Sequence, residues 1–121
     1  MNRALIRVVV VELADAEDAA TALARTLRDE GVEVIYAGRL HTAEQIVRTV
    51  EQEDPDVLGV VGDDPALTAA AAAELSGMPV FALGPARPDV AIPVVETTSE
   101  ATDWVARVAS HITESPSDRA R

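Results

Sequence analysis

Along the chain, short apolar runs alternate with segments whose apolar residues recur every three or four positions. Leu5 to Val11 reads as a first strand, and the β-branched run Val8 to Val11 suits a strand buried on both faces of a helix-covered parallel sheet. After a polar break, Ala16, Ala19, Ala20, Leu23 and Leu27 fall on one stripe of a helix. Gly31 ends that helix, and Val32 to Ala37 read as a second buried strand, giving a strand-helix-strand unit with a right-handed crossover. The same grammar then repeats. Ala43, Ile46, Val47 and Val50 form a second stripe, Val57 to Val61 a doubly buried strand, Ala66 to Leu75 an alanine-rich helix, and Val80 to Leu83 a fourth strand. Only Gly84 to Ala91 separate this strand from a fifth at Ile92 to Val95. That span is too short for a helical crossover, so the fourth helix is missing or reduced to a turn. Ala101, Trp104, Val105, Val108 and Ile112 make the inner stripe of a long last helix.

Polar residues mark the ends of these elements. Asp15 can cap the first helix, with Glu17 and Asp18 near the positive end of its dipole and Arg25 and Arg28 toward the other end. Thr42-Ala43-Glu44-Gln45 matches a capping box, and Glu44 can pair with Arg48 at i,i+4. Asp54-Pro55-Asp56 stops the second helix. Asp64 followed by Pro65 is an N-cap with proline at the first helical position, and Thr97 to Glu100 offers another capping box. The tail after Thr113, ESPSDRAR, is polar and expected to be disordered, leaving residues 1–113 as the domain and 114–121 as the tail.

Alternating strands and helices with parallel crossovers predict an α/β fold: a doubly wound three-layer sandwich, flavodoxin-like, with five parallel strands in the order 2-1-3-4-5. In such a sheet the ligand crevice lies at the carboxyl ends of the strands, beside the first and third. The loops of interest are Glu12 to Asp18, Gly62 to Pro65, Gly84 to Pro88 and Glu96 to Ser99.

Composition narrows the chemistry. The formal charge of −11 and the single Phe, Tyr and Trp argue against nucleic acid and anionic membranes as partners. The absence of cysteine excludes thiol nucleophiles, disulfides and Cys-based zinc sites, and is compatible with a cytoplasmic protein. Arg3 and Arg7 ahead of Val8 to Val11 imitate a secretory signal, but Glu12 interrupts an apolar core that is already too short. No Ser-His-Asp set, Walker loop or dinucleotide fingerprint can be assembled. A receiver-type phosphoacceptor would stand where the chain has Val61, with a lysine where it has Glu96, and the chain contains no lysine. His41 reads as a solvated loop residue and His111 as a complement to a helix C-terminus. Gly84-Pro85-Ala86-Arg87 reads as a turn, with anion binding as the alternative.

The segment ARTLRDEGVEVIYAGRLHTAEQIVRTVEQEDPDVLG, within residues 24 to 59, resembles the cobalamin-binding domain of methylmalonyl-CoA mutase and related mutase small subunits. That family shows RALRDAG at a helix end, a FEVIYTG strand, a TPEQIV helix start and a DVVG strand. The resemblance implies a corrin ring held at the strand ends, with a histidine from an Asp-x-His-x-x-Gly loop ligating cobalt and the aspartate fixing its tautomer. Counted back without gaps, the aspartate, histidine and glycine fall on Ala14, Ala16 and Ala19. The nearby acids Asp15, Glu17 and Asp18 are hard oxygen donors, poor substitutes for imidazole. The family's serine at the end of the third strand falls on Val61 or Gly62. Its glycine pair after the fourth strand falls on Leu83-Gly84, where leucine should obstruct the slot for the nucleotide tail.

By position, the residues facing a cofactor are then Asp15, Ala16, Glu17, Val61, Gly62, Leu83, Gly84, Glu96 and Thr97, with no catalytic residue and no metal ligand. The favoured expectation is a non-catalytic relative of the mutase cobalamin domain that contacts a protein partner, a mutase-type subunit or a second copy. One alternative is a corrinoid carrier or small subunit with the cofactor's own base, or water, below cobalt, catalytic only as part of an isomerase. The other is a divalent-cation or small-molecule sensor using Asp15, Glu17, Asp63 and Asp64.

Overall fold

The computed structural model describes residues 6–85 and 91–113. Its elements run β1 (Arg7–Glu12), α1 (Glu17–Asp29), β2 (Glu33–Arg39), α2 (Ala43–Glu53), β3 (Val57–Val61), α3 (Pro65–Glu74), β4 (Val80–Leu83), β5 (Val94–Val95) and α4 (Thr98–Thr113). All five strands are parallel in the order β2-β1-β3-β4-β5, as the pattern predicts. The described residues carry no helix between β4 and β5. Residues 86–90, the expected disorder of the tail 114–121, the residue Leu5 and the side chain of Ile112 lie outside the described residues.

Alternation along each strand divides the core into two layers, because successive side chains leave a strand on opposite faces. Val8 and Val10 of β1 join Val57, Val61 and Phe81 under α1 and α4, which add Leu23, Leu27, Ala101 and Val105. Val9 and Val11 join Leu58, Val60 and Val80 under α2 and α3, which add Ile46, Val50 and Ala71. The valine runs of β1 and β3 are thus explained by two covered faces. Gly59 makes room in the first layer. A Cβ there would stand 2.7 Å from Cζ of Phe81, whose ring also packs on Trp104 with centroids 5.1 Å apart.

Two strands differ from the sequence reading. Val32 to Ala37 is expected to be a buried strand, but β2 is an edge strand, half-buried from Val34 to Gly38, with water on the side that has no neighbour. Its register against β1 slips between Val10 and Val11, which pair with Tyr36 and Gly38, and the bulge carries the strand on to Arg39. The fifth strand is only Val94 and Val95, shorter than the expected Ile92 to Val95, and these two pair with Ala82 and Leu83.

Candidate functional site

The carboxyl ends of β1, β3 and β4 meet the starts of α1 and α4 at one edge of the sheet. Glu12 shares the parity of Val8 and Val10, so its side chain points toward α1 and is buried, with 6% of its surface exposed. There Oε2 accepts the backbone N–H of Ala16 at 3.0 Å and Oε1 accepts the Tyr36 hydroxyl at 3.4 Å. Ala16 is the N-cap of α1 and has no side-chain acceptor of its own. Asp15, expected as the cap, instead points out to water and pairs with Nη1 of Arg39 at 2.8 Å. The reason is positional: the chain turns into the helix one residue later, at a methyl side chain, and Glu12 of the strand takes the N–H of that cap residue itself, the bond an N3 side chain makes in a capping box.

Burial, then the charge of Glu12 and the hydrogen bond to it, raise the pKa of the Tyr36 hydroxyl above its ordinary 10.0. The Glu12–Tyr36 contact escapes the sequence reading. Its one signal is an acid at the next inward position after Val8 and Val10, where an ionised group must find donors.

The β3–α3 turn lies directly against the β1–α1 loop. Gly62 has φ +126°, a conformation that L side chains rarely adopt, and a Cβ there would sit 2.8 Å from the N of Ala14. The Leu13 N–H donates to the Val61 carbonyl at 2.8 Å, so the two loops are tied side by side at the switch point. Asp64 caps α3, accepting from the Leu67 N–H at 3.0 Å, as expected. Thr97 caps α4 through the Glu100 N–H at 3.0 Å, but the Glu100 carboxylate reaches back to the Glu96 N–H at 2.8 Å, one residue before the partner a capping box requires.

Between α1 and α4 these turns leave a cleft of about 350 Å³. Ala16 and Ala19 form one wall, Val61, Gly62, Leu83 and Gly84 the floor, and Glu96 and Thr97 the other wall. The structure therefore gathers most of the positions chosen from sequence. Asp15 and Glu17 are not among them. They face an adjoining open concavity above β1 and β2, with Tyr36 and Arg39, which shares Ala16 and Ala19 with the cleft. Leu83, expected to obstruct the slot, packs down into the core with 7% of its surface exposed, in the same cluster as Val61 and Val95, and the cleft persists above it.

Leu13 to Ala19 contain no imidazole, and both His41, after β2, and His111, near the end of α4, are exposed. Among the described residues no group of three or more His, Asp or Glu is arranged to hold a metal ion, and Asp15 and Asp64 of the proposed cation set are engaged with Arg39 and with α3.

No family model matches the chain. Over 62 residues, half of its length, it is 45% identical to the 2-hydroxyisobutanoyl-CoA mutase small subunit of Aquincola tertiaricarbonis. It spans about half of that subunit, 46%. Among solved structures, a cobalamin-binding protein from Desulfitobacterium hafniense DCB-2 aligns over 86% of this chain and 59% of its own with a TM-score of 0.76 at 16% identity. The methanol:cobalamin methyltransferase complex MtaBC from Methanosarcina barkeri aligns over 87% of this chain and 46% of its own, with a TM-score of 0.73 at 20% identity. The chain is thus similar in sequence to a mutase small subunit over half its length, and in fold to a cobalamin-binding protein and to a chain of a methanol:cobalamin methyltransferase complex over nearly nine-tenths of it.

Proposed function

We propose that the chain is a non-catalytic module of the mutase small-subunit type that works by contacting a protein partner and does not ligate cobalt through a histidine. The observation that carries this reading is the start of α1. At the position that the resemblance gives to the ligating histidine stands Ala16, whose amide is already taken by Glu12. A methyl group offers no lone pair, and the acids beside it are hard donors suited to other metals. The test is a titration of the pure protein with hydroxocobalamin and adenosylcobalamin, read by visible spectrum and by melting temperature. The expected result is no change at micromolar cofactor; the spectrum of an imidazole-ligated corrinoid overturns the proposal.

The cleft favours a second reading, in which a corrinoid is held by its nucleotide end with its own base or water below cobalt. Support comes from the surviving volume of about 350 Å³ and its mainly apolar floor. Here the same titration gives a rise in melting temperature with no imidazole-ligated spectrum. Under either reading the partner is a mutase-type subunit or a second copy, which co-elution with a mutase large subunit, compared with the chain alone, distinguishes.

A further inference from the structure

We propose that Glu12 is a positioning residue whose buried carboxylate holds the first turn of α1 against the sheet, so that the α1 wall of the cleft forms without any ligand. The proposal is independent of whether a corrinoid or a partner binds.

Three observations converge on it. First, α1 begins at a residue that cannot cap it. The leading N–H groups of a helix have no partner within the helix, and an uncapped start frays. The Glu12 carboxylate supplies an acceptor to one of them, the Ala16 N–H, from the preceding strand. Second, Glu12 is held at both ends. Its backbone carbonyl accepts from the Leu40 N–H at 3.0 Å while its side chain joins β1 to α1 and β2. A carboxyl group this deeply buried is tolerated when it has donors, and the described residues contain no buried side-chain oxygen or nitrogen without a partner. Third, the turn so fixed carries Ala16 and Ala19, which line the cleft. The wall is therefore built by a contact made beneath it, from a residue outside the cleft.

The chain provides a clean probe, because Tyr36 is its one tyrosine and it has neither lysine nor cysteine. The groups facing the Tyr36 hydroxyl are Glu12 from β1 and Glu17 and Thr21 from α1, with the Arg39–Asp15 pair at the mouth of the concavity. The experiment measures amide hydrogen exchange by NMR and the ultraviolet titration of tyrosine on the full chain, in wild type, E12A and E12Q. In wild type the Ala16 amide is protected and Tyr36 ionises above the ordinary tyrosine range. E12A speeds exchange at Ala16 by about tenfold or more, while amides in the centre of β1 and β3 keep their rates. E12Q, whose side-chain oxygen still accepts, restores protection at Ala16 but moves the Tyr36 titration downward, because the repelling charge is gone. An Ala16 amide that exchanges freely in wild type, or an E12Q titration that coincides with wild type, overturns the proposal. Should E12A fail to fold, the wild-type Ala16 amide decides: protection there supports the proposal and free exchange overturns it.

Discussion

The starts of α1 and α2 solve one problem in two ways. At α2 the solution is local. Thr42 accepts from the Gln45 N–H at 3.0 Å, and Gln45 Oε1 accepts from the N–H of Thr42 at 3.2 Å and of His41 at 2.7 Å, all on an exposed turn. At α1 the cap residue is an alanine, and the acceptor is a buried carboxylate at the end of β1. A local cap is specified by a few adjacent residues and serves only its own helix. The remote cap couples a helix to the sheet, and it fixes the turn that lines the cleft. The difference teaches that this edge of the molecule is organised from beneath, by strand residues, rather than by the polar residues displayed on its loops.

Substitutions that disturb each start separate the two designs. Gly62→Ala should have the largest effect, a loss of about 3 kcal/mol, since it combines an unfavourable φ with a Cβ pressed on the Ala14 backbone. Urea denaturation measures it, and a loss no larger than that of an exposed helix substitution would mean the two loops are not in contact. Glu12→Ala should follow at about 2 kcal/mol, because it leaves a part-buried N–H and a phenol without their acceptor. Thr42→Ala should cost about 1 kcal/mol, as a surface cap does. If the two cap variants lose equal stability, the buried contact offers nothing beyond ordinary capping.

The smallest effect lies in the alkaline limb of stability. Tyr36 has a raised pKa in the folded chain, so its contribution is fully present below the unfolded value near 10 and is lost as the pH rises through the folded value. Stability therefore falls with rising pH above about 10, and Tyr36→Phe should remove that part of the slope. A slope that is identical in Tyr36→Phe and wild type would place the ionisation elsewhere.

How much of this was legible depends on the range of the interaction involved. The capping box at Thr42, the Asp64 cap and the Glu44–Arg48 pair at 2.8 Å are contacts between residues three or four apart, and the sequence displays them. The cap at Asp15 was misread because Asp is a good cap wherever it occurs, whereas the exact residue at which a chain enters a helix is set by how that helix docks. The burial of β2 was overread for a related reason. A run such as VEVIYA suits a central strand and a half-covered edge alike, and only the strand order decides which it becomes.

Hydrophobic periodicity by itself determined the succession of strands and helices and the parallel sheet, because valine runs with two covered faces call for helices on both sides; the order 2-1-3-4-5 was expected from the fold type such a pattern suggests, and the sheet has it. The doubly wound pattern also gave the expectation of a crevice at the carboxyl ends of the strands, beside β1 and β3. Tertiary structure alone decided which residues share that crevice, sending Asp15 and Glu17 to the surface beside Arg39 and laying Leu83 into its floor with most of the side chain in the core. It alone joined Glu12 to Tyr36, two residues 24 positions apart. Local pattern reports which side of an element is apolar; the partner of a buried charge is fixed only when the elements pack.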